Sequence, residues 1–169
     1  MFTTTPVRRS RLGAAAAAAF TAVAALSFAT PAHAEGDPTL AVDSNGGDTM
    51  QAPEKCAEHT DQFRFRFYYH SGNQGAWVNV GHPVYDLKYI DMGAPPLQPL
   101  KFCPGTGDGA LQPIANNAAS VFNWYQAYCG TVYYSAGYKG ASETIFHGSG
   151  ANLTSAKNNN RSINFTSCW

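Results

Sequence analysis

Two stretches of this chain are copies of one another. FYYHSGNQG (residues 67–75) and VYYSAGYKG (residues 132–140) share one scheme: apolar, Tyr, Tyr, two residues, Gly, two residues, Gly. Such a repeat constrains the fold strongly, because a small unit that cannot bury its apolar face alone has to pack against its copy. The copies stay parallel downstream. Tyr85-Asp86-Leu87 corresponds, one residue out of step, to Ala151-Asn152-Leu153. Each copy then reaches an Asn-rich element, Asn116-Asn117-Ala118-Ala119-Ser120 in the first and Asn158-Asn159-Asn160-Arg161-Ser162 in the second. The first copy runs over about 62–125 and is the longer, because residues 92–113 are inserted in it; the second runs over about 129–169.

The local pattern is that of strands. Phe63, Phe65 and Phe67 alternate with Arg64 and Arg66, the period of two expected of a half-buried strand. Short β-rich pieces follow, broken by Gly, Pro and Asn, and no segment carries a sustained helical stripe. The pattern predicts an all-β domain over residues 62–169, with two copies of about four strands each packed face to face as a sandwich.

The amino terminus bears on the compartment. Arg8, Arg9 and Arg11 precede a short apolar run from Ala14 to Leu26, and Ala32-His33-Ala34 has the small-residue form of a signal-peptidase site. Residues 1–34 therefore read as a secretory signal, cleaved between Ala34 and Glu35. The whole chain has 11 basic and 11 acidic side chains. Three arginines and no acids leave with the signal, so eight bases remain against 11 acids, a net charge of −3. No basic stripe is left for nucleic acid, and no second apolar run offers a membrane anchor. Residues 35–61 are polar and lack apolar periodicity, the pattern of a flexible extension.

Cys56, Cys103, Cys129 and Cys168 all follow the signal. An even count in a small exported chain implies two disulfides, with three possible pairings, and no close pair suits a zinc ion. If each copy closes on itself, the bridges are Cys56–Cys103 and Cys129–Cys168.

Tyr68 leads to Gly75, Tyr133 leads to Gly140, and each copy continues to an Asn-Asn-x-x-Ser element. This resembles the βγ-crystallin Greek-key motif. More narrowly, NNAAS, VYYSAGYKG and NLTSAKNNN are similar to the secreted actinobacterial peptidase-inhibitor family that includes the metalloproteinase inhibitor, over roughly 62–169. The resemblance implies two Greek keys packed as a βγ-crystallin-like sandwich. It also implies calcium sites at Asn116, Asn117 and Ser120 and at Asn158, Asn159 and Ser162. The chain departs from the calcium motif at its last position, where Val121 and Ile163 stand in place of Ser, and every side chain of the six is uncharged. A hard cation prefers carboxylates, so the expectation is no cofactor, or calcium held weakly.

The resemblance to inhibitors directs attention to the insertion, which holds five prolines and Cys103. A rigid loop loses little entropy on binding. Leu100, Lys101, Phe102, Cys103 and Pro104 are the expected inhibitory residues. In the family's metalloproteinase inhibitor the reactive bond follows a loop cysteine and precedes an apolar residue. Here Pro104 follows Cys103, which disfavours a substrate-like mode.

Catalysis finds no support. His59, His70, His82 and His147 lack ligand spacing, no G-x-S-x-G turn exists, and nothing singles out a carboxylate pair among Asp86, Asp91 and Glu143. Trp77, Tyr85, Tyr89, Trp124, Tyr125 and Tyr128 offer a sugar-stacking alternative, although aromatics in a small β domain mostly pack its core. The sequence thus predicts a secreted, non-catalytic peptidase inhibitor whose partner is another secreted protein. A second reading is an adaptor bridging subunits of an extracellular toxin or cell-surface complex through the polar extension. A third is an antimicrobial glycan- or cell-wall-binding domain.

Overall fold

The computed structural model describes residues 37–39, 56–58, 63–90 and 95–168. The chain divides into residues 1–32 and 33–169, and every described residue belongs to the second unit. The expected signal and its cleavage point, most of the polar extension, and residues 92–94 of the insertion lie outside the described residues.

Seven strands form two antiparallel sheets: β1 (Phe65–His70), β2 (Gln74–Val80), β3 (Ser120–Asn123), β4 (Tyr128–Ser135), β5 (Lys139–Ile145), β6 (Ser149–Asn152) and β7 (Ser162–Ser167). The first sheet has the order β2-β1-β3-β6 and the second β5-β4-β7. The all-β expectation holds, with one refinement. The sheets are not the copies: β6, from the second copy, pairs with β3 of the first. Its counterpart in the first copy is reduced to a single bridge, Val84 to Ile163 on β7. Each copy is a Greek key that lends its third element to the opposite sheet.

The period of two on β1 sends Phe65 and Phe67 into the space between the sheets, where both are fully buried. They meet edge to face at 5.4 Å, and Phe65 meets Phe165 of β7 at 5.6 Å. Gly130 makes room for the Phe65 ring, which a Cβ at that position would strike. Val78, Val80, Val121, Val132, Ile145 and Ile163 fill the remaining space. Burying each such side chain stabilises the fold by roughly 1.5–3 kcal/mol.

The repeat is preserved bond for bond at the hairpins. In the first copy the Asn73 amide donates to Ser120 Oγ at 2.9 Å, and that hydroxyl donates to the His70 carbonyl at 2.6 Å. In the second, the Tyr138 amide donates to Ser162 Oγ at 3.0 Å, and the hydroxyl donates to the Ser135 carbonyl at 2.7 Å. Each serine locks the hairpin of its own copy. Gly72 and Asn73, like Gly137 and Tyr138, have consecutive positive φ, the backbone that a tight turn between right-twisted strands requires.

Two disulfides close the domain, Cys56–Cys103 and Cys129–Cys168, so each copy does close on itself. They belong to an oxidising, extracellular type of environment.

Candidate functional site

The insertion is the largest difference between the copies. It folds back along the outer edge of β2. The Ala76 amide donates to the Asp108 carbonyl at 2.7 Å, the Trp77 amide to Thr106 Oγ1 at 3.2 Å, and the Cys103 amide to the Trp77 carbonyl at 2.9 Å. Further bonds tie Leu100 to Leu87 and Ile114 to Leu100, and Lys101 bridges to Pro113. These contacts separate the expected inhibitory residues. Leu100, Phe102 and Cys103 are buried, at 2%, 1% and 1% exposure, and cannot enter a partner's pocket. Lys101 and Pro104 face solvent. Leu111, unremarked in the sequence, is 59% exposed with a φ of 67°, held there by its amide bond to the Phe102 carbonyl at 3.0 Å. Leu97 is 52% exposed. The presented residues are therefore Leu97, Lys101, Pro104 and Leu111, while Leu100 and Phe102 anchor the loop from below.

The two Asn elements lie close together and support each other. The Asn116 amide donates to the Asn160 carbonyl, and the Asn158 amide donates to the Ala118 carbonyl, both at 3.0 Å. Asn116 and Asn158 both take positive φ, which asparagine tolerates. Each element borders a polar depression. One, of about 310 Å³, is lined by Tyr69, His70, Asn117, Asn158 and Lys157. The other, of about 250 Å³, is lined by Tyr134, Asn116, Asn159 and Arg161. The donor set does not suit a hard dication. The hydroxyls of Ser120 and Ser162 are occupied in the hairpins. Val121 and Ile163 point into the core and supply no oxygen. A cationic side chain stands in each depression, and Arg161 is held by Asp86 through contacts of 2.8, 3.0 and 3.2 Å. Among the described residues no three His, Cys, Asp or Glu side chains cluster as metal ligands.

The carboxylates have separate structural tasks. Asp86 pairs with Arg161, while Glu143 accepts backbone N–H groups from Thr154 and Ala156. His70 contacts Asp108 at 2.8 Å on the surface. His59 and Asp91 lie outside the described residues.

The aromatic residues do not form an open platform. The Arg66 guanidinium is sandwiched between Trp77 at 3.9 Å and Trp124 at 4.9 Å. Tyr125 is fully buried, and of the six candidates only Tyr85 and Tyr89 are about half exposed, at 49% and 51%. The segment after Cys56 crosses this face: Asn79 Nδ2 donates to the Ala57 carbonyl at 2.8 Å, and Glu58 lies 3.5 Å from Arg66. The root of the polar extension is thus fastened by a disulfide and two side chains.

No family profile matches the sequence, and no curated protein matches it. Among solved structures, one concerned with the evolution of the eye-lens βγ-crystallin domain fold superposes with a TM-score of 0.41 at 13% identity, over 64% of this chain and 89% of its own. The Greek keys are defined by this chain's own strand order and by the paired serine locks.

Proposed function

We propose that this protein is a secreted, non-catalytic binding module that docks on another extracellular protein through its disulfide-anchored insertion, and that inhibition of a peptidase is the use of that contact. The observation that carries the reading is the exposed trio Leu97, Lys101 and Leu111, set on a loop whose base is buried through Leu100 and Phe102 and bridged by Cys56–Cys103. A contact surface held in one conformation loses little freedom on binding. The test is inhibition of a thermolysin-like, a trypsin-like and a papain-like protease by the intact protein, then by Leu97→Ala, Lys101→Ala and Leu111→Ala. Hot spots are few, so the dominant variant should weaken inhibition by about 2 kcal/mol or more while the others change it little. A protein that inhibits none of the three would count against the inhibitory use.

A second reading has its own support. The root of the extension is pinned at Cys56, Ala57 and Glu58. An adaptor that engages its partner with this segment would lose capture of that partner from culture supernatant when residues 35–51 are deleted, while the domain stays folded. Retained capture by the truncated protein would exclude it.

A further inference from the structure

Two apolar cups lie side by side on the insertion. One, of about 220 Å³, is walled by Tyr89, Leu97, Pro99 and Pro113 with Lys88 on its lining. The other, of about 200 Å³, runs from Pro99 past Lys101 and Pro104 to Leu111. Pro99 lines both as their shared wall, and the adjoining pair is termed the groove. What sets it apart from the two polar depressions beside the Asn elements is its apolar lining. Leu97, Tyr89 and Leu111 are each more than half exposed, an accumulation of apolar surface in one place. Among the described residues no acidic side chain lines either cup, and both carry a lysine. Among the described residues neither ammonium has a carboxylate partner, and Lys88 lies over the Tyr89 ring at 5.2 Å. Where acids outnumber bases after the predicted signal, two lysines with no carboxylate partner among the described residues leave a local charge beside the apolar groove for a partner to complement.

We infer that the groove receives an extended acidic segment of a partner protein, with apolar side chains in the two cups and carboxylates against Lys88 and Lys101. This rests on the reading of the insertion as the contact surface and names the partner chemistry of that same site. Each cup is too small for a folded element and of a size for one or two side chains, so the segment would lie across the groove as an open chain. Pro99 and Pro113 offer no backbone N–H, so at these two walls the contact is side-chain packing.

The intact, disulfide-bonded protein can be titrated with two capped pentapeptides, Glu-Leu-Glu-Leu-Glu and Lys-Leu-Lys-Leu-Lys, while amide resonances are followed. The acidic peptide should shift resonances around Lys88, Leu97, Lys101 and Leu111, and should bind less tightly as salt is raised. The double variant K88E/K101E should lower its affinity about tenfold or more. An equal response to the basic peptide, shifts confined to another face, or no response to either peptide at millimolar concentration would overturn the inference. Concentration-dependent self-association mapping to the groove would overturn it too, since the occupant would then be a second copy. Failure of this inference is separable from failure of the contact surface. If Leu97→Ser and Leu111→Ser weaken partner binding but K88E/K101E does not, the surface stands and the acidic segment falls. If none of these variants weakens it, the surface itself is wrong.

Discussion

The two copies share a hairpin lock, a turn and a register, yet they treat their outer strands differently. In the first copy β2 is covered by the insertion, through the Asp108, Thr106 and Cys103 bonds. In the second copy, among the described residues, no such bond reaches the outer edge of β5, whose first four residues are all exposed. An exposed edge is a template for unwanted strand pairing, and natural sheets blunt it with charge or irregularity. β5 begins at Lys139, and its pairing with β4 shifts register between Tyr133 and Ser135. The difference teaches that the insertion is first an edge cover. Only the side of it turned away from β2 is available to a partner.

The largest effect expected from this comparison lies in the disulfides. Removing either bridge by paired Cys→Ala replacement should cost about 2–5 kcal/mol in urea unfolding. The bridges span 47 and 39 residues, which in the chain-entropy view differ by only ~0.2 kcal/mol. A larger loss for Cys56–Cys103 would measure what the fastened root at Ala57 and Glu58 adds, and equal losses would show that it adds nothing.

The hairpin serines come next. Ser120→Ala and Ser162→Ala each leave a turn amide and a carbonyl without their partner, and each should cost about 1–3 kcal/mol. Similar values would confirm that the lock is the same device twice. A cost at only one position would break the equivalence drawn from geometry.

The smallest expected effect is that of calcium. Binding at a hundredfold excess over the dissociation constant would add ~2.7 kcal/mol, easily visible in a thermal melt. The donor set predicts no shift on adding millimolar calcium to the wild type. A rise lost in Asn117→Ala or Asn159→Ala would show that Lys157 and Arg161 do not keep the ion out.

The features legible in the sequence were those encoded within one strand or one repeat. The alternation from Phe63 to Phe67 marked β1 and its inward face, and the matched Tyr-Tyr-x-x-Gly-x-x-Gly stretches marked the two hairpins. What escaped depended on neighbours distant in sequence. Leu100, Lys101 and Phe102 looked like a presented triplet, but the bonds to β2 and Leu87 turn Leu100 and Phe102 inward. Their period of two was itself a signal, with a polar residue between two apolar ones, that could have been read as a short strand-like segment. Leu111 gave no local sign, because its exposure follows from the fold of the loop and not from its flanking residues. Trp77 and Trp124 read as free aromatics because nothing in their own segments reveals that Arg66 lies between them.

The exchange of β6 onto the first sheet decides how the molecule comes apart. Neither half of the duplication is a self-sufficient unit, since freeing the second copy strips β3 of a neighbour and freeing the first removes Val84 from β7. A chain cut between the copies would leave two fragments, each with an exposed sheet flank and half a core. Unfolding should therefore be a single cooperative event in which both halves are lost together. The duplication that is so plain along the sequence leaves no seam in the folded protein.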